Sequence, residues 1–290
     1  MLQRFARGWG IAKASWAVLK LHPKLLVFPV LSLVAFLVLF AAIALTAWAG
    51  LDPAGGYRPQ MLDRINPESP IVYVAFFAIY FVCAFIGIFF NAALVFCTLE
   101  ALAGREPSLR AGLGTAVGRL PQILAWALVA STVGLLLNML QNALRDRLGF
   151  LGSLLGGLLE FAWAVVTYFV VPVLVVDGVG PIEAVKRSSA ILKRTWGESL
   201  AGEGGLGLIG FLLMLPALMV LAIGTAGTAA SPTIFLAVVV PVVILYILTL
   251  SLVFGTLGAI FRTGAYVYAT TGQAPSDMDP ALLQGAFRRK

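Results

Sequence analysis

Side chains able to do chemistry are few in this chain of 290 residues: one histidine, His22, and two cysteines, Cys83 and Cys97. Hydrolysis inside a membrane needs a nucleophile beside a base, or a metal held by several His, Cys or carboxylate ligands. No HExxH, CxxC, GxSxG or phosphate-loop pattern occurs. His22 is followed by Pro23 at the start of an apolar run, where an imidazole caps a helix or meets headgroups rather than binding a metal. Cys83 and Cys97 share one apolar run and lie about 21 Å apart along a helix, beyond disulfide reach. The expectation is a chain with no catalytic residue, no metal and no cofactor.

One polar cluster offers more. Asn138, Gln141, Asn142 and Arg145 recur at helical spacing, and Glu160 follows beyond Gly149. A hairpin turning near Gly149 would set Glu160 opposite residues 138–142. A carboxyl in hydrocarbon is costly unless it is protonated, partnered or wetted. Two readings stay open, a polar and proton-sensitive pocket in the outer half of the membrane or a clasp that tightens one hairpin. Asn91, alone in its apolar run, reads as glue between helices, and the GxxxG of Gly152–Gly156 and the glycines of 202–210 permit close helix approach. Glu100 and Arg262 fall near the same membrane surface and could pair.

The elements that would position these groups are set by composition. The chain is 60% hydrophobic and only 11% charged, with a mean hydropathy of +0.98, far from the balance of a soluble domain. Apolar runs long enough to cross about 30 Å of hydrocarbon as helices recur along it. Helices are expected because backbone groups in lipid must be satisfied within their own segment. The fold class is therefore all-α, a polytopic integral membrane protein. Its six spans are Lys24–Ala49, Pro70–Ala103, Pro121–Ala143, Leu151–Val176, Ser199–Gly224 and Thr233–Ala269. The run from Leu25 to Gly50 exceeds a signal-peptide core and reads as a retained first span. Pro29, Pro172, Pro216 and Pro241 fall inside spans and are candidate kinks.

The net charge of +7 does not indicate nucleic acid, because the basic residues gather at span ends rather than in one soluble patch. One side holds sixteen: Arg4, Arg7, Lys13, Lys20 and Lys24; Arg105, Arg110 and Arg119; Lys186, Arg187, Lys193 and Arg194; Arg262, Arg288, Arg289 and Lys290. The other holds four: Arg58, Arg64, Arg145 and Arg147. That asymmetry predicts cytoplasmic termini. Arg outnumbers Lys 14 to 6 among residues rich in Ala, Gly and Leu, which suggests a GC-rich bacterial genome and hence a bacterial inner membrane.

Several basic stretches read as amphipathic helices lying along the inner leaflet. In residues 181–196, Ile182, Val185, Ser189, Leu192 and Trp196 form an apolar face, with Glu183, Lys186, Arg187, Lys193 and Arg194 opposite. The leader repeats the device with Leu2, Phe5, Trp9, Ala12, Trp16 and Leu19, and a Gly-rich version carries Leu109, Leu113, Val117 and Leu120. Arg4, Arg7, Lys13, Lys186, Arg187, Lys193 and Arg194 are the expected contacts to anionic headgroups. Junctions at 104–108, 177–181 and 272–276 look alike, which suggests three repeats of interfacial helix plus hairpin. The single membrane domain then divides into a leader (1–23), a first hairpin (24–103), helix-plus-hairpin units (104–176 and 177–269) and a tail helix (270–290).

Asp177, Pro181, Glu183, Ala184, Val185, Lys186, Arg187 and Ser188 form a stretch that resembles a motif of prokaryotic polytopic proteins, including the membrane region of some glycerophosphoryl diester phosphodiesterases. The leader Arg4–Leu19 and the ending Leu283–Arg288 look closer to a family catalogued only as a domain of unknown function. The resemblance implies a helical multi-pass fold and carries no activity, since the phosphodiesterase catalytic domain has no counterpart here. Three functions remain open: a non-enzymatic scaffold or assembly component, possibly a homo-oligomer or bound to other membrane proteins; a small-solute or ion transporter using the cluster around Glu160; or lipid handling at the inner leaflet.

Overall fold

A computed structural model of the chain describes residues 13–49, 69–227 and 235–272, and these are helical throughout apart from short connections. In chain order the helices are α1 (13–21), a 3-10 turn (Pro23–Leu26) leading into α2 (Val27–Ala49), α3 (Pro70–Leu102), α4 (Leu109–Gly118), α5 (Leu120–Leu148), α6 (Phe150–Val166), α7 (Val170–Asp177), α8 (Pro181–Gly227) and, after a π-turn (Phe235–Val239), α9 (Val240–Thr271). Six segments are long and apolar enough to cross a membrane: Pro23–Thr46, Pro70–Leu102, Leu120–Leu148, Phe150–Asp177, Gly204–Ala222 and Ala237–Thr271. The all-α architecture of a multi-pass membrane protein follows. Large apolar side chains such as Leu37, Ile71, Phe76 and Leu245 stand exposed on these spans, where lipid takes the place of a core partner.

Two compact units arise. The first comprises residues 1–29, 94–112 and 189–290, the second residues 30–93 and 113–188. In the first unit, the Tyr246 hydroxyl donates to the Leu213 carbonyl at 2.8 Å, and the Phe254 ring lies against Gly210. Lys24 meets Glu106 at 2.7 Å. In the second unit, α5 and α6 form an antiparallel hairpin turned by one residue, Gly149, whose φ of +56° only glycine adopts without strain. Gly156 then sits on the side chain of Gln141, Gly152 abuts the Leu144 carbonyl, and Trp126 stacks on Trp163 with ring centroids 6.0 Å apart.

Three features depart from the sequence reading. First, of the four span prolines Pro172 follows an open break between α6 and α7, and Pro241 follows the π-turn at the start of its span. Pro29 and Pro241 sit in the opening turns of α2 and α9, where proline costs little, and α8 continues through Pro216. Second, residues 181–196 are not a separate rod. They run into the fifth span as one helix, Pro181–Gly227, about 70 Å long and so more than twice the hydrocarbon thickness. Third, the buried stripes of the basic helices mix small residues with a few aliphatic ones and differ in part from the expected faces. Ala184, Ser188 and Leu192 are buried on α8, whereas Ile182 is 73% exposed. Gly112 and Ala116 are buried on α4, with Val117 outside. On α1 the buried set is Ala14, Ser15, Val18 and Leu19, and Trp16 lies outside with the Lys20 ammonium over its ring. The small residues in these stripes let a helix approach a neighbour closely, while Ile182, Val117 and Trp16 face outward.

The junctions share a backbone form. Gly104, Gly178 and Gly272 end their helices with φ of +72°, +65° and +73°, the left-handed cap that favours glycine. Proline follows three residues later in each case, at Pro107, Pro181 and Pro275. Of these prolines, Pro275 lies outside the described residues.

Candidate functional site

The break in the fourth span is where sequence and structure meet most closely. Pro172 has no N–H, and its ring crowds the carbonyl four residues earlier, that of Tyr168. The helix accordingly opens over residues 167–169, between α6 and α7. Val170 and Tyr168 turn to shorter bonds, donating to the Thr167 and Val165 carbonyls at 3.1 and 3.3 Å. At this opening the Phe169 N–H and the Val166 carbonyl bond to a side chain. Ser188 on α8 takes both: its hydroxyl accepts from Phe169 N at 2.9 Å and donates to Val166 O at 2.8 Å. Ser188 is fully buried, as are Phe169, Val170 and Val173.

At the connection between α7 and α8 the same stretch is pinned by charge. Arg187 donates to Asp177 at 2.7 Å and to Glu183 at 3.0 Å, and the hydrogen bond to Asp177, followed by that to Glu183, raises the Arg187 pKa further. The Arg119 guanidinium lies against Gly178, and Gln122 donates to the Gly178 carbonyl at 3.3 Å. The motif residues Asp177, Pro181, Glu183, Arg187 and Ser188 thus build one corner. Arg187, expected at headgroups, is held by two carboxylates. The sequence reading quoted Ser188 without giving it a role. Its signal was a serine on the helix that follows a span carrying an internal proline.

The half of the α5–α6 hairpin nearer its Gly149 turn carries the polar cluster. Asn142 donates to Asn138 at 3.1 Å, and Gln141 packs on Gly156. Asn138, Asn142 and Arg145 are exposed. Glu160 is exposed too, and among the described residues it has neither hydrogen bond nor ion pair. The hairpin brings residues 138–142 and Glu160 onto one structure without a bond between them. Asn91 is half-buried and makes no hydrogen bond among the described residues. Glu100 is taken by Arg105, through bonds of 2.6 and 2.7 Å, rather than by Arg262.

Of the expected headgroup contacts, Lys13, Lys186 and Lys193 are exposed. Arg4 and Arg7 lie outside the described residues, as does the side chain of Arg194. Among the described residues no group of three His, Cys, Asp or Glu could hold a metal ion.

Glu106 offers a simple pH test. The hydrogen bond from Lys24, then the charge of Lys24, hold its carboxyl below the ordinary carboxylate value. A depressed folded pKa contributes stability above the unfolded value that is lost as pH falls through the folded one. The pair is exposed, so the effect is small. Glu106→Gln should lower the unfolding temperature slightly at neutral pH, and the difference from wild type should vanish by about pH 3. A difference that persists unchanged in acid would assign the effect to something other than this ion pair.

A family model with the description "Family of unknown function (DUF6159)" matches residues 70–276, more than half of the chain. The leader 4–19 and the ending 283–288 lie outside that match. No curated protein and no solved structure matches.

Proposed function

The chain belongs to this family of unknown function, and from that premise we propose a role read from its own residues: a non-enzymatic integral membrane protein that acts as a scaffold or assembly component. It resides in a bacterial inner membrane with both termini cytoplasmic, associates with itself or with other membrane proteins, and rests its basic helices on anionic headgroups. One observation supports association above all. Glu160 lies about 15 Å along the helix from Phe150, near mid-depth of the hydrocarbon, and is exposed with no partner among the described residues. A carboxyl in that position is costly against lipid and gains from a neighbouring protein that supplies hydrogen bonds. The outward-facing Trp16, Val117 and Ile182 suit the boundary between headgroups and acyl chains.

Extraction into native nanodiscs followed by native mass spectrometry tests the reading. The expected result is a homo-oligomer or a stoichiometric complex with another membrane protein. A lone monomer from native membranes would overturn it.

The opened fourth span favours a second reading, a transporter, because discontinuous spanning helices often form solute sites. Solute or ion flux in liposomes, abolished by Glu160→Gln, would establish it in place of the scaffold.

A further inference from the structure

We propose that a second copy of this chain docks on the outer half of the α5–α6 hairpin, with Glu160 of each copy bonded to the Asn138–Asn142 pair of the other. This rests on the association reading above and names its surface.

The register of the hairpin carries the argument. Gly156 faces Gln141, and Gly152 faces Leu144, so one turn further along α6 Glu160 falls level with Asn138. Asn142 lies one turn nearer the outer end. Copies related by a two-fold axis along the membrane normal keep every residue at its own depth, and their contact is self-complementary. The chemistry is complementary as well. A protonated carboxyl offers one O–H donor and one acceptor, and a carboxamide offers both functions in return. Asn142 and Asn138 use one such bond between themselves, which leaves the Asn138 amide hydrogens and the Asn142 carbonyl free to meet a carboxyl. Within the chain the Asn pair and Glu160 are exposed and unbonded to each other. Gly157, one turn before Glu160, has nothing within 4 Å of the position a Cβ would take, so a neighbouring backbone has room to approach there.

Cysteine cross-linking of the full chain in membranes tests this, in a Cys83→Ala background with Cys97 left buried. Gly157→Cys should cross-link to a dimer, and Leu245→Cys, exposed on α9, should not. Glu160→Leu should lower the dimer fraction at least about fivefold, and Glu160→Gln should retain it. Because Glu160 bonds to nothing within the described chain, the unfolding transition of the monomer should be unmoved by either change, which separates lost docking from lost folding. Cross-linking at residue 245 instead of 157, or a dimer indifferent to Glu160→Leu, overturns this surface and leaves self-association standing. A monomer held by a different membrane protein overturns the second-copy proposal alone. A monomer with no partner overturns both.

Discussion

Ser188→Ala should be among the most destabilising single changes in the described chain, lowering the unfolding free energy by about 2–4 kcal/mol. The change removes no bulk worth noting. It removes two buried bonds at once, the one the serine hydroxyl accepts from the Phe169 N–H and the one it donates to the Val166 carbonyl. Pro172 has already displaced the helical bonding pattern, and the site is sealed from water, with Phe169 and Ser188 fully buried. An unsatisfied buried donor costs more than the bond it once made was worth. Reversible unfolding in mixed micelles, followed by circular dichroism, measures the loss. Thr132→Ala is the control, since its hydroxyl bonds back to its own helix at the exposed surface and its removal should fall within about 0.5 kcal/mol. Equal effects from the two changes would show that the break is stabilised by something other than Ser188.

Gly152→Ala should destabilise the α5–α6 hairpin by about 1–3 kcal/mol, while Gly157→Ala, five residues on along the same helix, should be neutral in the monomer. A methyl on Gly152 meets the carbonyl of Leu144, a backbone atom that cannot swing aside. The hairpin must then open near its tip, where the one-residue turn at Gly149 leaves no slack. Gly157 faces open space, and the helical preference for alanine over glycine acts in its favour. The stacked pair Trp126–Trp163 lies further down the same interface, and its fluorescence reports the separation of the two helices. Parallel losses from both substitutions would mean that helix propensity, not close packing, governs this hairpin.

Much of the architecture was legible because it rests on length and hydropathy. The run from Pro70 and the run ending near Asp177 could only be spanning helices, and Gly149 between Leu148 and Phe150 could only be a turn. What stayed hidden depends on which neighbour arrives. Of the stripe Ile182, Val185, Ser189, Leu192 and Trp196, Leu192 is buried as expected, Ile182 is exposed and the Trp196 side chain lies outside the described residues; Ala184 and Ser188 join Leu192 because docking beside an opened span rewards close approach and a hydroxyl. Helix α8 was divided near residue 197 on the strength of its change from charged to apolar. Backbone hydrogen bonding does not register that change, and neither proline nor left-handed glycine stands at that point. Glu160 and the Asn138–Asn142 pair were identified as a polar group by spacing alone. Their failure to bond within the chain is a fact about side-chain direction that spacing does not encode.

The left-handed glycines at 104, 178 and 272 bracket two pairs of apolar spans. Between the first and second lie two crossings, Leu120–Leu148 and Phe150–Asp177, and between the second and third lie two more. Excising or duplicating a piece cut at those points changes the number of crossings by two, so everything downstream emerges on the side it occupied before. A cut that removed one crossing would invert the rest of the molecule. The punctuation therefore confers parity: a gene could lengthen or shorten this protein by whole paired passes without ever turning its tail inside out.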